Sequence, residues 1–134
     1  MNNKTGRCLC GAIEYSFEAD RNDVIVCHCS QCRQWSGHLW ASVNAPLEGL
    51  SVTSGKDKLA WFRASGSARR GFCKDCGSAL FWHGDRHENR KHRIAIAAGT
   101  VDAPTGFYLA EHIFMDDKGD YYEPDNDAVK TSQP

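Results

Sequence analysis

Seven cysteines in 134 residues constrain this chain more than any other feature, because of how they are spaced. They fall in three groups: "CLCG" (Cys8, Cys10), "CHCSQC" (Cys27, Cys29, Cys32) and "CKDCG" (Cys73, Cys76). The first residues, "MNNKTGRCLCG", are polar and lack the apolar stretch of a secretory signal. No apolar run approaches the ~20 residues of a membrane span. The expected compartment is therefore the reducing cytoplasm, where clustered cysteines ligate metal more often than they form structural disulfides. Burial as small apolar side chains is the plainer alternative, and it does not explain the spacing.

Two of the groups together make four thiolates, the number that closes a tetrahedral zinc site. In an extended strand, residues i and i+2 face one side, which would aim Cys8 and Cys10 at a common ion. Cys73 and Cys76 with Gly77 resemble a zinc knuckle, in which glycine takes positive φ beneath the metal. Structural zinc in small sites contributes roughly 10–16 kcal/mol of apparent binding energy, enough to decide whether a small fold forms. A redox dithiol would normally open a helix in a βαβ setting, which the sequence does not offer.

The remaining three, Cys27, Cys29 and Cys32, are one short of a closed set. Either a histidine completes them, or they are the three protein ligands of a catalytic zinc. His28 lies between two of them and should point away. His38, His83 and His112 could fold back. Three thiolates leave Zn2+ with net negative charge, which weakens it toward water and suits a further sulfur. The chemistry expected of an open site is thiolate addition to a carbon electrophile.

The rest of the chain reads as one mostly β domain over 1–134, with a core at about 6–123 and a polar tail at about 124–134 expected to be frayed or loosely docked. Alternating apolar positions in "AIEYSFEA", "LWASVNA", "LSVTSG", "KLAWFRAS", "ALFWHG", "RIAIAAG" and "EHIFMDD" predict short strands separated by turns. Ile13, Tyr15 and Phe17 share one face; Leu39, Ala41 and Val43 share another, with Trp40 opposite. "SQCRQWSG" is the one good short helix, with Ser30 as its expected cap. A net charge of -1 excludes a general polyanion binder. "RHENRKHR", Arg86 to Arg93, predicts a solvated hairpin turn, and nucleic acid is not an expected partner. Trp35, Trp40, Trp61 and Trp82 are core candidates, one or two of them facing a pocket.

The residues "GRCLCGAIEYSF", "CHCSQCRQWSG", "RRGFCKDCGSALFW", "AAGTVDAP" and "EHIF" resemble the glutathione-dependent formaldehyde-activating family, which includes the centromere protein V type of domain. The similarity runs from about Gly6 to Glu123, and all seven cysteines match in order and spacing. The resemblance implies several small coiled antiparallel β-sheets with little helix, and two zinc ions per chain. It implies Cys8, Cys10, Cys73 and Cys76 as structural zinc ligands and Cys27, Cys29 and Cys32 as catalytic zinc ligands. The implied activity is a carbon–sulfur lyase joining glutathione and formaldehyde to S-hydroxymethylglutathione. The implied partners are a small thiol, glutathione, and an aldehyde, with no membrane.

Glutathione carries two carboxylates, so cations are expected near its site. Arg63, Arg69 and Arg70 are candidates, and Arg70, just before the zinc knuckle, could be brought close to the metals; each is more simply read as exposed charge beside a strand. Asp102 reads as a turn cap. His28, His38, His83 and His112 are candidate proton donors to a developing alkoxide. The competing function is a non-catalytic zinc-stabilised module that binds glutathione or a protein.

Overall fold

The structure is a computed structural model and describes residues 2–124 and 128–132. Its elements follow the chain as β1 (Asn2–Arg7), β2 (Glu14–Ala19), β3 (Asp23–Cys27), helix α1 (Ser30–Ser36), β4 (Trp40–Pro46) and β5 (Ser51–Ser54). Then come β6 (Leu59–Arg63), β7 (Arg69–Cys73), β8 (Ala79–His83), β9 (Arg93–Ala97), β10 (Tyr108–Ile113) and β11 (Val129–Lys130). The mostly β reading with little helix holds, and the strands form two sheets. One has three strands in the order β1-β2-β5, and the other eight in the order β11-β10-β3-β4-β9-β8-β7-β6.

Alternation built the small sheet as expected: Ile13, Tyr15 and Phe17 are buried on one face. They join Val43 and Ala45 of β4, Leu80 and Phe81 of β8, and Ile94 and Ile96 of β9 in the main core. Cys8 and Cys73 belong to the same cluster. A second, smaller core lies around Cys27, Cys32, Trp40 and Ala97. β4 therefore buries both of its faces, Val43 in one cluster and Trp40 in the other.

One expectation needs correction. The large sheet is not wholly antiparallel, because β10 runs parallel to both β3 and β11. The strand β3, "DVIVC", is flanked by β4 and β10 and buries Val24 and Val26 with Ile25 half-buried, so it lacks the alternation of a one-sided strand. The tail is partly docked: Val129 and Lys130 pair with Glu111 and His112. Residues 125–127 and 133–134 of the expected tail lie outside the described residues. Of the charged run Arg86–Arg93, residues 86–92 form a largely exposed series of turns as expected, whereas Arg93 is half-buried and opens β9.

Candidate metal centre and the cavity beside it

The first cysteine group is built from two turns, not from an extended strand and a turn. Cys8 and Cys10 follow β1 in a tight loop closed by Gly11 N–H donating to the Cys8 carbonyl at 3.1 Å, with Gly11 at φ 79°. That corrects the strand reading of this pair. The Cys73 loop repeats the device: Gly77 N–H donates to the Cys73 carbonyl at 2.7 Å, with Gly77 at φ 79°. Glycine is needed at both because a left-handed turn penalises a side chain. Leu9 N–H donates to Ser78 Oγ at 2.9 Å and stitches the two loops together.

All four sulfurs lie within 4.8 Å of one another. The Cys8–Cys10 and Cys10–Cys73 separations are 3.6 and 3.8 Å. Disulfides would need about 2.05 Å. Tetrahedral zinc with Zn–S near 2.3 Å spaces its sulfurs at ~3.8 Å. The donor set and its spacing therefore fit zinc. Hydrogen bonds from Ser78, side chain and backbone, pull the Cys76 thiol down to about 5, so a thiolate is ready at this position at neutral pH.

The second group sits where β3 hands over to α1. Cys27 ends β3, Cys29 is the helix N-cap and Cys32 lies in the first turn. The cap is the Cys29 sulfur, which accepts from Cys32 N–H at 3.4 Å, and not Ser30 as expected. The Cys27–Cys29 sulfur separation is 3.4 Å, and all three sulfurs lie within 4.8 Å. Hydrogen bonds from the Cys27 and Cys32 thiols, aided by backbone N–H groups of Cys32 and Gln31, hold the Cys29 thiol well below the ordinary thiol range. Its neighbour Cys27, donating to that thiolate and buried, is pushed up.

Among the described residues, no histidine nitrogen or carboxylate oxygen joins the three sulfurs. His28 does point away, fully buried, with Nδ1 2.7 Å from the Tyr122 hydroxyl and Nε2 2.7 Å from His112 Nδ1. Burial, and then the facing His112, lower the His28 pKa to about 4, so the ring is neutral at pH 7. His38 bonds the Tyr121 hydroxyl at 2.7 Å. His83 Nε2 bonds the Lys91 carbonyl at 2.9 Å. None of the candidate histidines is brought to the cluster as a ligand.

A cavity of about 440 Å3 opens beside the three cysteines. Trp40, Trp82, Ile113 and Phe114 supply apolar wall, whereas Asn44, Asn89, Arg90 and Arg93 line it with polar groups. Two of the four tryptophans thus face the pocket, within the one or two expected. Arg63 and Arg69 do not line it: Arg63 forms a two-pronged pair with Asp85 at 2.8 and 2.7 Å, and Arg69 stacks over Trp61 at 4.0 Å. Asp102 is also elsewhere, accepting from Thr5 Oγ1 at 2.8 Å.

Arg70 takes the place beside the candidate metal ligands that its position before the zinc knuckle allowed, rather than the simpler reading of exposed charge. It is 2% exposed, not a surface charge, and it donates to Cys32 Sγ at 3.3 Å. Gln31, not singled out from sequence, accepts from Arg70 Nε and Nη2 at 3.2 and 2.9 Å. A signal existed: Arg69 and Arg70 are consecutive on a strand, so their side chains leave opposite faces and one had to point inward.

The chain matches the family model described as glutathione-dependent formaldehyde-activating enzyme over residues 3–117. An uncharacterized lyase of Schizosaccharomyces pombe is 28% identical over 123 residues, spanning 88% of this chain and 82% of that protein. A protein of Phaeosphaeria nodorum named "Putative glutathione-dependent formaldehyde-activating enzyme" is 33% identical over 75 residues, spanning 55% of this chain and only 40% of that protein. A crystal structure of a Rhodobacter sphaeroides protein superposes with a TM-score of 0.63 at 21% identity, covering 95% of this chain and 98% of the other. That likeness concerns the fold.

Proposed function

This chain belongs to the glutathione-dependent formaldehyde-activating enzyme family, and on that premise we propose that it is a zinc-dependent carbon–sulfur lyase-type enzyme. Its substrates are a small thiol, glutathione, and formaldehyde or a related aldehyde. One observation carries the reading: three convergent sulfurs form part of the wall of a small-molecule-sized cavity, with no fourth protein donor among the described residues. A closed structural site has no use for a cavity at its ligands. Pockets that take small molecules span about 300–1,000 Å3, and this one falls inside that range.

In this reading Cys27, Cys29 and Cys32 hold the catalytic zinc, and Cys8, Cys10, Cys73 and Cys76 hold a structural one, giving two per chain. Zinc bound by the three cysteines supplies a coordination position for one more sulfur and keeps that sulfur as thiolate at neutral pH. The chain's own residues do the rest. Trp40, Trp82, Ile113 and Phe114 exclude water from the place where sulfur meets the aldehyde carbon. Arg90 lines the cavity with no ion-pair partner among the described residues, which suits a thiol bearing carboxylates, whereas Arg93, also in the wall, is already paired with Asp20 at 3.0 and 2.8 Å. The reaction conserves protons: the thiol proton leaves as the thiolate forms, and the product hydroxyl takes one from water.

The test is the rate at which glutathione and formaldehyde form S-hydroxymethylglutathione, measured by NMR exchange against the spontaneous reaction. The zinc-loaded protein should exceed the spontaneous rate, and Cys27→Ser should return it to that rate. No excess from the wild-type protein would leave a zinc-stabilised thiol-binding module and remove the enzyme reading.

A further inference from the structure

The cavity wall contains a buried charge with no carboxylate among the described residues to answer it. Buried arginines are rare and normally paired. Arg70 on β7 is 2% exposed. Among the described residues its side chain bonds only Gln31 Oε1 and Cys32 Sγ. Its Nη1 is buried with no hydrogen-bond partner. The rings of Trp35 and Trp40, with centroids at 5.9 and 5.8 Å, flank the guanidinium.

The geometry of the fork says where the unused donor lies. Nε and Nη2 form one edge of the guanidinium, and Gln31 takes that edge. The other Nη2 hydrogen serves Cys32 Sγ at 3.3 Å. The end-on N–H bonds of Nη1 and Nη2 run parallel, so the unpartnered Nη1 donor sits beside the one at the cysteine sulfur. A buried donor without a partner costs free energy, and its persistence at a ligand cavity calls for an acceptor supplied by the ligand.

We infer that Arg70 is a catalytic residue whose guanidinium stabilises the oxyanion that develops on the aldehyde oxygen as the substrate sulfur adds to the carbonyl carbon. The inference rests on the thiol–aldehyde reading above. The sulfur lone pair forms the C–S bond, and the C=O π pair moves to oxygen. That oxygen then takes a proton from water, and nothing is oxidised or reduced. The oxygen of such an adduct is two bonds from its sulfur, and Arg70 already reaches a sulfur of the cluster. Arginine suits the task because it stays charged at any working pH and its planar fork holds direction. Gln31 is the positioning residue, fixing the plane of that fork.

Charge neutralisation of three thiolates would also place a cation here, and the two roles separate by experiment. The zinc-loaded full-length protein is compared with Arg70→Met, Arg70→Lys and Arg70→Ala. Zinc content is measured, glutathione affinity by calorimetry, and kcat and KM by NMR. For an oxyanion-stabilising donor, zinc content and glutathione Kd stay within about threefold, whereas kcat falls ~10²-fold or more. Arg70→Lys, which keeps the charge without the fork, should stay well below wild type. Added guanidinium at millimolar concentration should restore part of the rate to Arg70→Ala and none to Arg70→Met, whose side chain fills the space. Loss of zinc or of glutathione binding that accounts for the whole rate loss would overturn the inference in favour of a counter-ion, as would unchanged kcat. A wild-type protein with no rate above the spontaneous one would instead overturn the functional reading itself. If Arg70→Met does not fold, Arg70→Lys and guanidinium rescue of Arg70→Ala decide the matter.

Discussion

The Tyr15 hydroxyl sits in the main core, 2.6 Å from Thr100 Oγ1. Thr100 spends its own hydrogen on the Ala97 carbonyl at 2.8 Å, so Tyr15 must be the donor. Gly6 makes room for this pair, since a Cβ there would come within 2.2 Å of the Tyr15 oxygen and 2.6 Å of the Thr100 carbonyl oxygen. Burial pushes the Tyr15 pKa above its ordinary 10.0. The sign follows from linkage: below pH 10 the hydroxyl is neutral in both folded and unfolded chains, and its contribution is intact. Above that pH the unfolded chain gives up the proton first, so stability falls as pH rises. Tyr15→Phe should cost about 1 kcal/mol at neutral pH for the lost hydrogen bond. It should also flatten the decline in melting temperature above pH 10 relative to wild type. Parallel alkaline declines in the two proteins would refute the assignment of that loss to Tyr15. Sequence patterning marked Tyr15 as a core residue, because alternation reports which face is buried. It could not mark the hydroxyl's partner, which comes from a turn far along the chain.

The elements are punctuated by glycines that do different work. Gly37 ends α1 at φ 86°, its N–H donating to the Arg33 carbonyl, and an added Cβ there meets nothing within 4 Å. Gly55, between β5 and β6, has φ 73°, and a Cβ there would fall 1.8 Å from the Ala12 carbonyl oxygen. Gly37→Ala should therefore cost about 1–2 kcal/mol, the penalty of the left-handed conformation alone. Gly55→Ala should cost more, about 3 kcal/mol or above, because backbone must also move. Urea midpoints of the two variants would test this, and an inverted order would contradict the steric account. At this scale the sequence was informative where a strand had one covered face, as in β2, and where a helix was bounded by its own turn residues, as in α1. It was uninformative for β3, covered on both sides, and for the parallel pairing of β10. There the register even slips between Leu109 and Glu111, and partner choice depends on packing between distant segments. The α1 cap was hidden for another reason: cysteine is not an ordinary cap, and only the fold shows its sulfur accepting the Cys32 N–H.

The two cysteine groups were legible as groups because metal chemistry restricts spacing, yet they relate to the molecule differently. The four-sulfur group joins the loop after β1, in the small sheet, to the β7–β8 turn of the large one. The three-sulfur group closes within the β3–α1 junction. Zinc at the first site would bridge segments far apart in sequence, and its binding energy would be folding energy. Zinc at the second would organise a local turn already held by backbone hydrogen bonds, such as Arg33 N–H to the Cys29 carbonyl at 3.0 Å. Serine variants separate the two with little steric change. Cys10 is exposed, so Cys10→Ser disturbs packing least. Cys29 is the helix cap, and serine is itself a good cap, so Cys29→Ser removes the thiolate while the helix start survives. Each variant should drop from two zinc ions per chain to one. Cys10→Ser should lower the melting temperature by more than about 10 °C, and Cys29→Ser by only a few degrees while abolishing activity. Metal analysis and calorimetry on the same samples check both halves. Equal melting temperatures for the two variants would mean that the four-sulfur site does not hold the two sheets together. An unchanged zinc count in Cys29→Ser would mean that the three sulfurs at the cavity are not a metal site.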